Sequence, residues 1–156
     1  MLKKIVWLAF LFLLVGCSSQ DLALEDLKEN YPQTFADSIA SLSEKEQERI
    51  GLPDEIPFDV SSVEASSEDN MVEVQYESKG KESLKVRSVF DPGNILEESE
   101  LQIPLNSGAV AGVQEREDHV YVEWYNSEDN VVYQLEYHST NKEKRTQQAM
   151  EIANAI

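Results

Sequence analysis

The sequence predicts a single α+β domain that combines an antiparallel sheet of about six strands with short N-terminal helices and a packed C-terminal helix. Residues 72–77 and 84–90 alternate apolar with polar side chains, and so do residues 119–126 and 131–138. A period of two is typical of strands that bury one face. Residues 149–156 instead carry apolar side chains at helical spacing. Strands followed by a helix indicate the α+β class.

The first pair of strands predicts its own register. With residues 79–81 as the loop, Glu73 faces Arg87 on one side of the hairpin, and Val74 faces Val86 on the other. Opposite charges and apolar pairs are both favourable as direct cross-strand neighbours. A shift by one residue would break both matches, so we expect a hairpin in this register.

The second pair of strands predicts an apolar face and a polar face. With residues 127–130 as the loop, three opposed pairs share one side of the hairpin: Trp124 with Tyr133, Val122 with Leu135, and Val120 with Tyr137. The same register places His119 opposite His138 on the other side. A further strand is expected over residues 109–115, whereas residues 91–106 show no pattern that predicts their fold.

Helical signals flank the strands. Apolar residues at i, i+4 and i+7 within residues 35–42 predict a helical stripe. Ser43 and Glu46 have the spacing of a capping box, and we expect the helix that they open to reach Ile50. A second capping box is predicted over residues 140–143, at the start of the C-terminal helix.

Residues 1–17 have the layout of an export signal. Lys3 and Lys4 are followed by an apolar run over residues 5–15, which is shorter than the roughly 20 residues of a transmembrane helix. The end of this run and the two residues after it resemble a bacterial lipobox: Leu14, Val15, Gly16 and Cys17. In lipoproteins with this motif the signal peptide is cleaved before the cysteine, and the thiol then carries a diacylglycerol.

This resemblance and the patterns above predict three parts of the chain. They are a signal peptide at 1–16, a lipid-anchored acidic tether with a weak helix at 17–42, and an extracytoplasmic α+β domain at 43–156. The implied lipid on Cys17 is a diacylglycerol, with an N-acyl chain as a further option, and no other cofactor is expected. Two acyl chains anchor a protein durably, at about 0.8 kcal/mol per buried methylene. We expect the domain on the outer face of a bacterial plasma membrane, with a Gram-positive host favoured.

The charge of the chain narrows the classes of partner. The formal net charge is −17, and it becomes about −19 once Lys3 and Lys4 leave with the signal peptide. An acidic surface repels phosphate backbones and anionic lipid head groups. We therefore expect no nucleic-acid partner, and a membrane contact through the acyl chains alone. The acidic residues are spread along the chain, which favours adaptation of an exposed surface over attraction of cations or basic segments.

Catalytic motifs are missing from the sequence. It has no Gly-x-Ser-x-Gly elbow, no His-Glu-x-x-His and no Cys-x-x-Cys. Its only cysteine, Cys17, is the predicted lipid attachment site. We therefore expect a protein that is not an enzyme, and an unrecognised hydrolase stays as an alternative.

Three side chains are candidates for binding. His119 and His138 face each other with acidic residues nearby, and they form a candidate site for a transition metal or for a response to pH between about 5 and 7. Two solvated histidines are the simpler interpretation. Tyr125 lies on the face opposite to the apolar one and is a candidate for a surface contact. The Ser-Glu-Asp-Asn segments at 67–70 and 127–130 are interpreted as turns rather than calcium loops.

Parts of residues 51–156 resemble a domain of unknown function. Gly51-Leu52-Pro53 followed by Ile56-Pro57-Phe58 resembles its beginning, and residues 121–135 with 151–156 resemble its end. There a tryptophan strand, a tyrosine strand and a helix with an Ile-Ala pair occur in that order. The domain occurs in Gram-positive lipoproteins and on the exported ends of anti-sigma-type membrane proteins. The resemblance implies a sensing or protein-binding module and no catalytic residues.

The expected function is that of a membrane-anchored, non-enzymatic binding or sensing lipoprotein. Its expected partner is another envelope protein or a cell-wall component. A metal- or pH-responsive module built on His119 and His138 is the alternative.

Overall fold

The structure is a computed structural model that describes residues 21–93, 96–99 and 101–156. The predicted signal peptide and the lipobox that ends at Cys17 lie outside the described residues. None of the helices in the described part of the chain is long and apolar enough to span a bilayer.

The described chain folds into one antiparallel sheet and several helices. The strands are β1 (Val60–Glu68), β2 (Met71–Ser78), β3 (Ser83–Phe90), β4 (Leu101–Pro104), β5 (Val110–Glu115), β6 (His119–Asn126) and β7 (Val131–His138). The helices are α1 (Leu24–Asn30), a π-helical segment (Pro32–Ala36), α2 (Asp37–Ile39), α3 (Glu44–Gln47) and α4 (Lys142–Asn154). Neighbouring strands lie in the order β1-β2-β3-β7-β6-β5-β4. The predicted α+β class is confirmed.

Within the described residues the sheet has seven strands, where the sequence predicts about six. The additional strand is β4, which lies in the stretch 91–106 whose fold could not be predicted. It pairs with β5, so that Leu101 faces Val113 and Ile103 faces Ala111. Four residues are too few for alternation to stand out in a sequence, and a strand that ends in proline is typical of a sheet edge.

Both predicted hairpins have the predicted register. Glu73 pairs with Arg87 across β2 and β3, and the Arg87 Nε donates to Glu73 Oε2 at 2.6 Å. Trp124 pairs with Tyr133 across β6 and β7. Because side chains alternate between the two faces of a strand, this register also sets which residues of β6 and β7 face away from the core.

The capping box at Ser43 is present, but the N-cap of the C-terminal helix is not the residue that the sequence predicts. Glu46 N donates to the Ser43 hydroxyl and Ser43 N donates to Glu46 Oε2 at 2.8 Å, although α3 ends at Gln47 instead of reaching Ile50. The cap of α4 is Asn141 and not the predicted Thr140, because Asn141 Oδ1 accepts from Lys144 N. Asparagine is the stronger of the two capping residues.

The helices and the inward face of the sheet share one hydrophobic core. Helix α4 packs against β6 and β7 and buries Ala149, Ile152 and Ala153. Four buried side chains come from the N-terminal segment: Leu22, Leu27, Phe35 and Ile39. These four precede residue 43, so the core draws on residues from both sides of the predicted domain boundary.

The loop after α3 is held tightly against the sheet. Gly51 N donates to the hydroxyl of the buried Ser88 at 2.8 Å. A Cβ atom at position 51 would lie 2.8 Å from Cδ1 of Tyr133, which is closer than carbon atoms approach in proteins. The Tyr133 hydroxyl in turn donates to the carbonyl oxygen of Arg49 at 3.1 Å. A glycine is therefore required where the chain crosses this aromatic ring.

The outward face of the sheet is polar and internally bonded. Arg87 bridges two carboxylates, Glu73 at 2.6 Å and Glu136 at 2.8 Å. Glu123 is only 4% exposed and accepts hydrogen bonds from Tyr121 and Gln134 side chains and from a backbone N–H of residues 96–99. Antiparallel sheets can leave one such face to solvent, and this is the face on which the two histidines lie.

Replacing Tyr76 by phenylalanine tests the packing of the core. The Tyr76 hydroxyl is fully buried, and it has no hydrogen-bond partner among the described residues. We expect Tyr76→Phe to leave the free energy of unfolding unchanged or to raise it by up to about 1 kcal/mol, since no bond is lost. Urea unfolding measures this. Tyr133→Phe, which removes the bond to Arg49, is the matched control and should lose about 1 kcal/mol. A larger loss for Tyr76→Phe than for Tyr133→Phe would contradict the described core.

Candidate metal-binding site

The two histidines lie side by side at one end of the sheet. His119 is the first residue of β6 and His138 is the last residue of β7, and they are direct cross-strand partners. Their ring centroids are 4.8 Å apart, with the ring planes tilted by 33°. Their side chains are 16% and 34% exposed, so solvent reaches both rings. The sequence predicted this pairing through the register of the hairpin.

Asp118 completes the cluster. Its Oδ1 lies 2.7 Å from Nδ1 of His119, and its Oδ2 lies 3.8 Å from Nδ1 of His138. One ligand atom from each of the three residues can be chosen so that all lie within 4.8 Å of one another. The sequence predicts acidic residues near the histidines but does not single out Asp118. Its position next to His119 in the chain was the available signal.

The turn that carries Asp118 is braced by α4. Arg116 N donates to the carbonyl oxygen of His119 at 2.9 Å and closes the turn between β5 and β6. From α4, the Arg145 Nη2 donates to the carbonyl oxygen of Arg116 at 2.8 Å and to that of Glu117 at 3.4 Å. Arg145 is only 6% exposed. The helix therefore fixes the backbone from which Asp118 reaches the two rings.

The ionisation of the cluster favours a neutral His138 beside an ionised Asp118. Burial, and then the neighbouring His119, lower the pKa of His138 below its ordinary value. The hydrogen bond to His119 lowers the pKa of Asp118. Neutral imidazole and ionised carboxylate are the forms that bind metal ions.

Chemically, the cluster offers metal ligands and a titratable pair. Imidazole nitrogen suits zinc, copper and nickel, and a carboxylate oxygen can complete such a site. In a neutral His119 whose Nδ1 donates to Asp118, the unprotonated nitrogen is Nε2, which is the atom that can coordinate a metal ion. Within the described residues, no serine or threonine hydroxyl is hydrogen-bonded to either ring.

The other predicted site residues lie apart from this cluster. Tyr125 is 40% exposed near the far end of β6, and its hydroxyl donates to Asn130 Oδ1 at 2.9 Å. The Ser-Glu-Asp-Asn segment at 127–130 forms the turn between β6 and β7, whereas the segment at 67–70 ends β1 with its first two residues and turns into β2 with its last two. The lipobox residues Leu14, Val15, Gly16 and Cys17 lie outside the described residues.

Comparison with known family models, with curated proteins and with solved structures finds no match to this chain. The resemblance of residues 51–156 to a domain of unknown function stays a prediction. So does the resemblance of residues 14–17 to a lipobox. The geometry of the cluster is therefore the basis for any statement about what the domain binds.

The lowered pKa of His138 predicts how stability depends on pH. Because protons bind His138 less readily in the folded chain than in the unfolded chain, its contribution to stability is complete above its ordinary pKa of 6.5. That contribution is lost as the pH falls through the lowered pKa. We expect the wild type to lose more stability than His138→Gln between about pH 7.5 and pH 5, measured by urea unfolding. Equal losses in the two proteins would contradict the assignment. Asp118 titrates at lower pH, below its ordinary value of 3.8, and so does not interfere.

Proposed function

We propose that this protein is a non-enzymatic lipoprotein on the outer face of a bacterial plasma membrane, and that its domain binds a divalent transition metal through His119 and His138. The observation that carries the metal proposal is the pair of cross-strand imidazoles with one carboxylate, Asp118, placed between them. Binding or sensing is the expected activity, and no bond-making step is assigned to the site.

The geometry of the cluster supports coordination after small side-chain rotations. Nitrogen and oxygen ligands lie about 2.0–2.2 Å from a zinc ion, so two ligands of one ion are roughly 3–4 Å apart. Ligand atoms within 4.8 Å of one another are close to this spacing. The Asp118 side chain is 73% exposed and lies on a turn, whereas the histidines are held by the ends of two paired strands.

The ligand types support a preference among metals. Nitrogen ligands favour zinc, copper and nickel, whereas calcium and magnesium favour sites made of oxygen atoms alone. In the cluster, two of the three side chains offer nitrogen. We therefore propose a transition metal bound at this cluster, and not a calcium or magnesium ion bound by carboxylates elsewhere on the acidic surface.

Metal titration tests this proposal. We expect the purified protein to bind one Ni²⁺ or Zn²⁺ ion in the micromolar range by calorimetry, and both His119→Ala and His138→Ala to weaken binding by more than about tenfold. The control is Asp129→Ala, in the turn at the other end of the same hairpin. It removes one exposed carboxylate and should leave the affinity for the metal unchanged. An absence of binding by the wild type at micromolar metal would rule the proposal out.

The membrane location rests on the lipobox and on the charge. A net charge of −17 over the full chain gives the protein no electrostatic attraction to anionic lipids, so an acyl chain on Cys17 is the proposed anchor. The proposed partner is another envelope protein or a cell-wall component. Tyr125 is the candidate contact, since it is a large side chain that is 40% exposed on the outward face of the sheet.

One membrane experiment tests the anchor and the partner separately. A photocrosslinking amino acid is placed at position 125, or at the exposed position 37 as a control, in the full chain with and without Cys17→Ala. We expect Cys17→Ala to abolish incorporation of labelled lipid and the crosslinked product, while the unfolding midpoint of the domain is unchanged. Lipid incorporation that survives Cys17→Ala would overturn the anchor. Products that are the same from positions 125 and 37 would overturn the contact.

A further inference from the structure

A shallow pocket adjoins the histidine cluster. It lies where the end of β7, the turn between β5 and β6 and the first residues of α4 meet, and its volume is about 420 Å³. His138 forms part of its wall, together with three cationic side chains: Lys81, Lys142 and Arg145. Such a group stands out in a chain with 13 basic and 30 acidic residues.

Arg145 is a buried cation without an acidic partner. It is 6% exposed, and no carboxylate of the described residues lies within 4.0 Å of its nitrogen atoms. Its Nη atoms donate only to the carbonyl oxygens of Arg116 and Glu117, and its Nε is buried with no partner among the described residues. Burying a charge is costly unless an opposite charge lies near it. Among the described residues, the guanidinium group of Arg145 therefore has no carboxylate in direct contact.

The surroundings of Arg145 add to this charge. Lys81 and Lys142 line the pocket with exposed ammonium groups that form no ion pair within the described chain. Lys142 is also the first residue of α4, a helix of 13 residues whose N-terminus carries partial positive charge. Two carboxylates, from Glu117 and Asp118, line the pocket as well, and Asp118 is engaged by His119. The described lining of the pocket therefore carries three cationic and two acidic side chains.

The metal site and the pocket share His138. Two or three protein ligands leave positions open on a metal ion that takes four or more. We propose that the pocket holds a small oxyanion, a carboxylate or a phosphate, which takes an open position on the metal bound at His119 and His138. This inference rests on the proposed metal binding. The oxyanion contributes a ligand oxygen to the metal, and Lys81, Lys142 and Arg145 neutralise its charge.

Cobalt provides a spectroscopic probe of both metal binding and anion binding. The full chain is loaded with Co²⁺, whose visible absorption changes with its ligands, and inorganic phosphate and acetate are titrated in separate arms. The test variant is Lys81→Gln with Lys142→Gln. The matched control is Lys28→Gln with Lys45→Gln, which changes the net charge equally on α1 and α3, in residues that do not line the pocket.

We expect Co²⁺ to bind all three proteins, and either anion to change the wild-type spectrum. The pocket variant should bind the anion about tenfold more weakly, while the control stays within about twofold of the wild type. A response to phosphate or to acetate supports the inference and identifies the class of oxyanion. A Co²⁺-loaded wild type that responds to neither anion, or equal weakening in the two variants, overturns the inference and leaves the metal proposal standing. Failure to bind Co²⁺ overturns both.

Discussion

The register of the β6–β7 hairpin is the constraint on which the site depends. Three opposed apolar pairs along this hairpin lie in the core, among them Trp124 with Tyr133 and Val122 with Leu135. Because alternate side chains point to opposite faces, their burial forces His119 and His138 together on the outward face. The hydrophobic effect on one side of the sheet thus positions polar chemistry on the other. The two imidazoles need no attraction of their own to meet.

The C-terminal helix adds Arg145 to the site that this hairpin forms. Helix α4 buries its apolar stripe against β6 and β7, and this packing carries Arg145 to the turn between β5 and β6. The guanidinium group binds that turn through carbonyl oxygens and holds Asp118 near both rings. The same arrangement leaves a buried cation at the wall of the adjoining pocket. The packing of the core, the proposed metal site and the proposed anion pocket therefore all depend on α4.

Local patterns predicted most of the sheet and two of the three residues of the cluster. The hairpin registers followed from charge and apolar pairing between residues close in sequence, and the capping box at Ser43 followed from a spacing of three residues. Strand β4 was missed because four residues at a sheet edge carry too little periodicity. The cap of α4 was placed one residue early, at Thr140, because two capping residues are adjacent there. Asp118 and Arg145 lie 27 positions apart, and no local pattern links them.

By itself, the sequence determined the α+β class, the alternation of the strands and the pairing of His119 with His138. It also supplies the predicted anchor at Cys17, which lies outside the described residues. Only the tertiary structure decided that α4 reaches back to the turn before β6, that N-terminal side chains such as Phe35 complete the core, and that cations collect beside His138. The physical reason is the distance along the chain over which each interaction acts. Periodicity and turn chemistry act between neighbours in sequence, whereas the burial of α4 and of Arg145 depends on how distant segments pack.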